Sequence, residues 1–236
     1  MDYNTPLDRN LMAGQVSATE RATFIKKTYL HVALSVLLFA IVEAVFLSTP
    51  FIVKIGMAMS QGMTWLLVLG GFMLATSAAE RWAMGSTDKN AQYGALTLYV
   101  VAQAFIFVPM MYMAMSVLGQ PHLVMQAGIM TLGLFTGLTA VVLLTGKDFS
   151  FLRTALTVGG FIAIGLIIAG TIFGFNLGLW FSGAMVLLAA GSILYQTSNM
   201  LHHYRTDQYV AASLGLFGAL MLLFWYILRI FMSTSD

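Results

Sequence analysis

The sequence predicts an all-α, polytopic membrane protein with seven transmembrane helices, and two observations support this prediction. Hydrophobic residues make up 59% of the 236-residue chain and charged residues only 8%, with a mean hydropathy of +0.87. Apolar segments also recur along the chain, and at about 1.5 Å per residue about 20 residues cross the roughly 30 Å hydrocarbon layer. The lipid bilayer is therefore the predicted environment of residues 28–236, and residues 1–27 are predicted to be a polar tail.

Seven apolar segments follow one another with polar breaks between them. They are residues 28–47, 63–79, 93–118, 124–145, 152–173, 177–196 and 210–231. The breaks contain turn-forming and charged residues that hydrocarbon excludes, and none is long enough for a further folded domain. Pro109 in the third segment predicts a kink. Gly133 and Gly137 in the fourth form a G-x-x-x-G pattern, which predicts close approach of a neighbouring helix.

The positions of lysine and arginine predict the orientation, because both are retained on the cytoplasmic side of short loops. Only Lys54 and Arg229 lie on one side of the predicted bundle. Nine bases lie on the other side: Arg9, Arg21, Lys26, Lys27, Arg81, Lys89, Lys147, Arg153 and Arg205. The sequence therefore predicts a cytoplasmic N-terminal tail and, after an odd number of crossings, a C-terminus outside the cell.

Several functional classes leave sequence marks that are missing here. The absence of cysteine excludes a disulfide, an iron–sulfur cluster and a thiol nucleophile. No His-Glu-x-x-His motif is present, and Gly146-Lys147 is followed by Asp148 rather than Ser or Thr, as a phosphate-binding loop requires. The net charge of +2 is scattered, which does not suit nucleic-acid phosphates. We therefore expect neither an enzyme nor a nucleic-acid-binding protein, and no metal or cofactor.

Polar residues in or near the apolar segments are the candidate functional residues. Glu43 is the one acid well inside a predicted segment. Snorkelling or protonation would account for it, and so would ion or proton handling. Gln103 and Gln196 suit interhelical hydrogen bonds or an ion pathway. Asp148 and His202 lie at the predicted cytoplasmic face, where they could regulate ion entry.

Three stretches of the chain resemble the Bax inhibitor-1 (TMBIM) family. Residues 144–152 (LTGKDFSFL) resemble the turn between its fourth and fifth helices, residues 193–202 (ILYQTSNMLH) the end of its sixth, and residues 228–231 (LRIF) the end of its seventh. Thr-Ser-Asn followed by a hydrophobic pair and His is most similar to the bacterial YccA-like branch. The resemblance implies a non-enzymatic, multi-pass protein of the bacterial inner (plasma) membrane that associates with the FtsH membrane protease and restrains it.

The resemblance also implies a second possibility, a calcium or proton leak. Family members carry one aspartate near the cytoplasmic end of the sixth helix and one in the seventh, and this pair shares protons and gates the leak. In this chain Gln196 and Ala219 fall at those positions, and Arg81 is an approximate counterpart of the second-helix arginine that pairs with them. Glutamine neither binds a proton near neutral pH nor carries a charge, so the sequence predicts that the di-acid pH sensor is lost.

Overall fold

The computed structural model describes residues 12–86 and 88–235, and within these ranges the chain forms eight helices. They are α1 (Ala18–Leu47), α2 (Pro50–Met59), α3 (Gly62–Gly85), α4 (Lys89–Tyr112, continued by a π-helical turn at Met113–Val117), α5 (Pro121–Thr145), α6 (Leu152–Phe173), α7 (Gly178–His202) and α8 (Tyr209–Thr234). All except α2 are long and apolar enough to cross a membrane, which confirms the predicted fold class. The first eleven residues, with Arg9, lie outside the described residues.

Helix α8 is the centre of the bundle. Helices α1, α3, α4, α5 and α7 all pack on it, and its side chains Phe217 and Leu223 are fully buried. Helix α6 lies at the periphery and exposes Phe161 and Ile162. Because lipid tails are as apolar as these side chains, close packing rather than removal from water holds α8 among its neighbours.

The connections meet at two opposite ends of the bundle. At one end, the Ala13 backbone N–H donates to the Tyr204 carbonyl at 2.8 Å, and the Lys89 ammonium donates to the Asp207 carbonyl at 2.6 Å. We call this end the basic face; it contains the start of α1 and the α3–α4, α5–α6 and α7–α8 connections. The other end, with α2 and the α6–α7 connection, is the opposite face. Assignment of the basic face to the cytoplasm stays a prediction from the charge count.

Helix α1 begins at Ala18, well before the predicted start at residue 28. The Ser17 hydroxyl accepts from the Glu20 backbone N–H at 3.3 Å, and the Glu20 carboxylate accepts from the Ser17 backbone N–H at 3.3 Å. This reciprocal capping box satisfies two backbone donors at the helix start. Much of the predicted tail is therefore helical, and Ala13 before it is fully buried at the basic face.

Further helix boundaries differ from the prediction, among them those of α2 and α3. Residues 50–59 form the short helix α2, which the sequence analysis left in a break; Pro50 suits its first turn because its missing N–H would be unpaired there in any case. Helix α3 continues to Gly85 rather than ending at residue 79. Glu80 and Arg81 therefore lie near the end of a helix rather than in a break.

The predicted consequences of proline and glycine are only partly seen. Pro109 lies within α4, and the π-helical turn at Met113–Val117 follows it after less than one turn of helix. At Gly133 and Gly137 an added Cβ would meet no atom within 4 Å. The prediction of close helix packing at this G-x-x-x-G pattern is therefore wrong, since both glycines have open space beside them.

Candidate functional site

Asp148 holds the α5–α6 connection against the end of α7. Its Oδ1 accepts from the Ser150 backbone N–H at 2.8 Å and from the Ser198 hydroxyl at 3.1 Å. The Ser198 hydroxyl in turn accepts from the Phe149 backbone N–H at 2.8 Å, and His202 Nδ1 lies 2.9 Å from the Ser198 carbonyl oxygen. The fold thus brings the two predicted residues Asp148 and His202 together around Ser198, which the sequence analysis had noted only within a motif.

Hydrogen bonding holds the pKa of Asp148 below its ordinary value. The Ser150 backbone N–H has the largest effect, and the Ser198 hydroxyl and the neighbouring His202 act in the same direction. Donors aimed at a carboxylate favour its ionised form. The carboxyl group therefore stays ionised at neutral pH and works as an acceptor that fixes the loop.

We expect the stabilisation by Asp148 to depend on pH. Because its folded-state pKa is lowered, its contribution is fully present above the ordinary value of about 3.9 and is lost as pH falls through the folded-state pKa. In Asp148→Asn the amide oxygen still accepts from Ser150. Unfolding temperatures measured from pH 7 to pH 3 should therefore show the wild type above Asp148→Asn at neutral pH, with a gap that narrows as the pH falls below about 3.9. A gap that stays constant across this range would contradict the assignment.

A cluster of aromatic rings and bases joins α1, α4 and α8 at the basic face. The ring of His31 stacks on Tyr93 with centroids 5.6 Å apart and lies 5.1 Å from the ring of Tyr209. The Lys89 and Lys27 ammonium groups lie 4.3 Å and 5.4 Å from the Tyr209 centroid, respectively. These distances suit cation–π attraction, so the cluster stabilises the packing of three helices where their polar ends meet.

Gln196 faces Gly215. A Cβ added to Gly215 would lie 2.8 Å from Gln196 Oε1, so the amide packs directly on the backbone of α8. Ala219 is buried one turn further along α8, and Arg81 is exposed on α3. Glutamine is one methylene longer than aspartate and fits because residue 215 has no side chain. The structure therefore places Gln196 against Gly215, one helical turn before Ala219.

A cavity of about 710 Å³, the large cavity, lies between α3, α4, α6 and α8. Ser60, Asn176 and Arg229 line it at the opposite face, and Tyr99, Gln103 and Gly218 line it deeper in the bundle. The Tyr99 hydroxyl occupies the space that a side chain at position 218 would fill. Of these deeper residues the sequence analysis had identified only Gln103, because one tyrosine or glycine in an apolar segment gives no signal of what it faces.

Glu43 lines a separate cavity of about 390 Å³, the side cavity, between α1, α4, α5 and α8. Its side chain is 2% exposed, so the snorkelling interpretation is wrong. Met221 lies between the two cavities and lines both. The structure therefore does not bring Glu43 and Gln103 into one pathway.

A comparison with known protein families matches almost the whole chain. The family model described as "Inhibitor of apoptosis-promoting Bax1" matches residues 21–236. The chain belongs to the Bax inhibitor-1 family. Family membership confirms the resemblance that residues 144–152, 193–202 and 228–231 had indicated, and the family match covers all seven membrane-spanning helices apart from the first turn of α1.

Individual relatives come from animals, fungi and bacteria. Protein lifeguard 4 of Mus musculus is 26% identical over 223 residues, covering 89% of this chain and 84% of that protein. Bax inhibitor 1 of Schizosaccharomyces pombe is 34% identical over 117 residues, covering 46% of this chain and 42% of that protein. An uncharacterized protein of Pseudomonas aeruginosa is 30% identical over 146 residues, covering 61% and 65%. The chain therefore spans just under two thirds of the bacterial relative and less than half of the yeast one.

Proposed function

We propose that this protein is a non-enzymatic modulator of an FtsH-like membrane protease in the bacterial inner membrane, with its basic face in the cytoplasm. In this role it binds the protease complex and slows the turnover of other membrane substrates. Residues 193–202, which resemble the YccA-like branch, and the match to an uncharacterized bacterial relative support the proposal. The observation that carries it is the central position of α8.

An ATP-driven protease must pull its client out of the membrane before cutting it. Five helices surround α8, and many of its side chains, Phe217 and Leu223 among them, are fully buried. Separating α8 from these neighbours removes close packing along the whole helix. It also exposes buried hydroxyl groups, such as that of Ser213, to lipid or water. A client that resists extraction in this way occupies the protease and keeps other substrates from it.

The chain that precedes α1 is the segment such a protease would grip, and its attachment adds a first barrier. Ala13 is fully buried, its N–H is bonded to Tyr204, and Met12 pairs with Arg205 in an isolated antiparallel bridge. Pulling on the N-terminus therefore strains the α7–α8 connection before it reaches the helices. Release of this segment should make the chain a better substrate and a weaker inhibitor.

Reconstitution with an FtsH-type protease tests the proposal. We expect wild-type protein to co-purify with the protease and to slow degradation of a second membrane substrate. Deleting residues 2–20 should abolish both effects. Ala13→Glu places a charge in a buried site, which costs several kcal/mol unless the segment detaches. We therefore expect this variant to be degraded several-fold faster than wild type.

Gln15→Glu is the matched control, because it adds the same charge at an exposed position of the same segment. It should behave like wild type in co-purification, inhibition and its own degradation. Unfolding temperatures of all variants show whether the bundle itself is intact. Unaltered association and substrate turnover after deletion of residues 2–20 would overturn the proposal.

A cation leak is the second candidate, favoured by the large cavity. This cavity extends from Arg229 at the opposite face to Gln103 and Tyr99 inside the bundle, so only part of the membrane thickness stays closed. Its lining, taken over the described residues, includes the base Arg229 and no carboxylate. A positive charge at an entrance opposes cation entry, so this lining suits a weak leak rather than an efficient calcium channel.

Flux into liposomes tests the leak. If the cavity conducts, wild-type protein should pass calcium faster than empty vesicles do, and Arg229→Gln should raise the flux by removing the charge at the entrance. Gln196→Asp combined with Ala219→Asp restores acids at the two positions that match the family's pair, and it should add a pH dependence if the two carboxyl groups titrate as a coupled pair. Wild-type flux equal to that of empty vesicles at both acidic and neutral pH would remove this candidate.

A further inference from the structure

Two polar side chains lie unpaired in the side cavity. Glu43 on α1 and Thr131 on α5 are each 2% exposed. Among the described residues, neither Glu43 carboxyl oxygen nor the Thr131 hydroxyl has a hydrogen-bond partner. Buried polar groups are almost always hydrogen-bonded, and an unpaired one in hydrocarbon costs several kcal/mol. The pair therefore indicates a partner that these parts of the chain do not supply.

The rest of the cavity wall is apolar. Its other lining residues are almost all hydrophobic, including Val36, Phe39, Met111, Val124, Leu220 and Phe224. No lysine, arginine or histidine lines it within the described ranges. An ionised Glu43 thus has no counter-charge in the cavity, and a bound cation would supply one.

The cavity opens sideways, toward the lipid. Helix α1 packs on α4 and α8, and helix α5 packs on α7 and α8, rather than on each other, which leaves a gap between α1 and α5. Ala40 and Ala44 of α1, Met115 of the π-helical turn and Leu132 of α5 line the cavity and are all exposed. These positions lie within the membrane-spanning helices, so a ligand reaches the cavity from the bilayer and must itself dissolve there.

We propose that the side cavity binds a lipophilic amine, with its ammonium group at Glu43 and Thr131 and its hydrocarbon chain against the apolar wall. An ammonium group offers a full charge and several N–H donors to the carboxylate, whereas a neutral alcohol offers a single O–H. The rings of Phe39 and Phe224 are further partners for a cation in this wall. The volume of about 390 Å³ lies within the range of small-molecule sites.

Equilibrium binding of radiolabelled dodecylamine tests the proposal. Protein in phosphatidylcholine nanodiscs is compared with empty nanodiscs, which corrects for partition into lipid. We expect saturable binding to wild type and binding about ten-fold or more weaker to Glu43→Gln, which keeps the shape of the side chain but removes its charge. Unlabelled dodecanol should compete poorly, because it has the same chain and no charge.

A second pair of variants tests the place of binding without touching the carboxylate. Gly128 lines the side cavity, and a Cβ added there meets no atom within 4 Å, so Gly128→Leu fills the cavity and should block binding. Gly133→Leu is the matched control: it is on the same helix, also has open space and lines neither cavity. Absence of saturable binding to wild type, equal competition by dodecanol, or unchanged binding in both Glu43→Gln and Gly128→Leu would overturn the proposal.

Discussion

Phe107→Ala is expected to destabilise the bundle by about 4 kcal/mol. Phe107 of α4 is 1% exposed, and its ring packs on Phe39 of α1 at 5.2 Å and on Phe224 and Trp225 of α8 at 5.7 Å and 4.8 Å. Truncation removes about 100 Å³ of side chain, which at about 24 cal/mol per Å³ of residual cavity costs about 2.4 kcal/mol. The lost aromatic pairs add about 0.5 kcal/mol or more each.

The free energy of unfolding in mixed micelles measures this effect, and Phe161→Ala is its control. Phe161 of α6 is 72% exposed, so its ring mainly contacts lipid. Truncating it to alanine leaves this position in contact with lipid and removes little packing within the protein. We expect the control to change the free energy of unfolding by less than about 1 kcal/mol. Equal losses in the two variants would mean that α4 and α8 are not packed through Phe107.

Gly218→Ala is the second substitution with a large expected effect, about 1–3 kcal/mol of destabilisation from overpacking. The Cβ of alanine would clash with the Tyr99 hydroxyl and lie 3.2 Å from Tyr99 Cζ. Alanine is the better helix former by about 1 kcal/mol, so a loss of stability must come from this contact. The tyrosine must move away from α8, and the wall of the large cavity moves with it.

A double-mutant cycle tests whether the loss of stability in Gly218→Ala comes from the Tyr99 hydroxyl. Tyr99→Phe deletes the hydroxyl that blocks the alanine, so Gly218→Ala should cost less in the Tyr99→Phe background than in wild type. Gly165→Ala on α6 is the control, since a Cβ there meets no atom within 4 Å. It should be neutral or slightly stabilising. Additive effects of Gly218→Ala and Tyr99→Phe would show that the two residues do not compete for one space.

Hydropathy predicted the seven crossings well, but it placed several helix ends wrongly. Helix α3 continues through Glu80 and Arg81 because its backbone hydrogen bonding runs past the apolar part of the segment. Helix α1 starts at Ala18 because the capping box of Ser17 and Glu20 begins the helix within polar sequence. A hydropathy window detects where lipid can surround a helix, whereas backbone hydrogen bonds and caps decide where the helix begins and ends.

The candidate residues likewise divide into those with local contacts, which the sequence indicates, and those with contacts between helices, which it does not. The motif around Asp148 was found in the sequence, because its contact with Ser150 joins residues only two positions apart. The contact of Gln196 with Gly215 was not predicted from the sequence. Local hydrogen bonds leave a mark in consecutive residues, but a contact between helices depends on how each helix is rotated about its axis.

The sequence by itself determined the lipid environment, the seven membrane-spanning segments and the family, since the cost of placing a residue in hydrocarbon is set by that residue and its near neighbours. Only the tertiary structure decided that, among the residues it describes, Gly133 and Gly137 have open space beside them, Gly215 and Gly218 receive side chains from α7 and α4, and Glu43 is buried without a hydrogen-bond partner. A helix that is apolar all round has no polar stripe to fix its rotation, so its contacts emerge only when all the helices pack together.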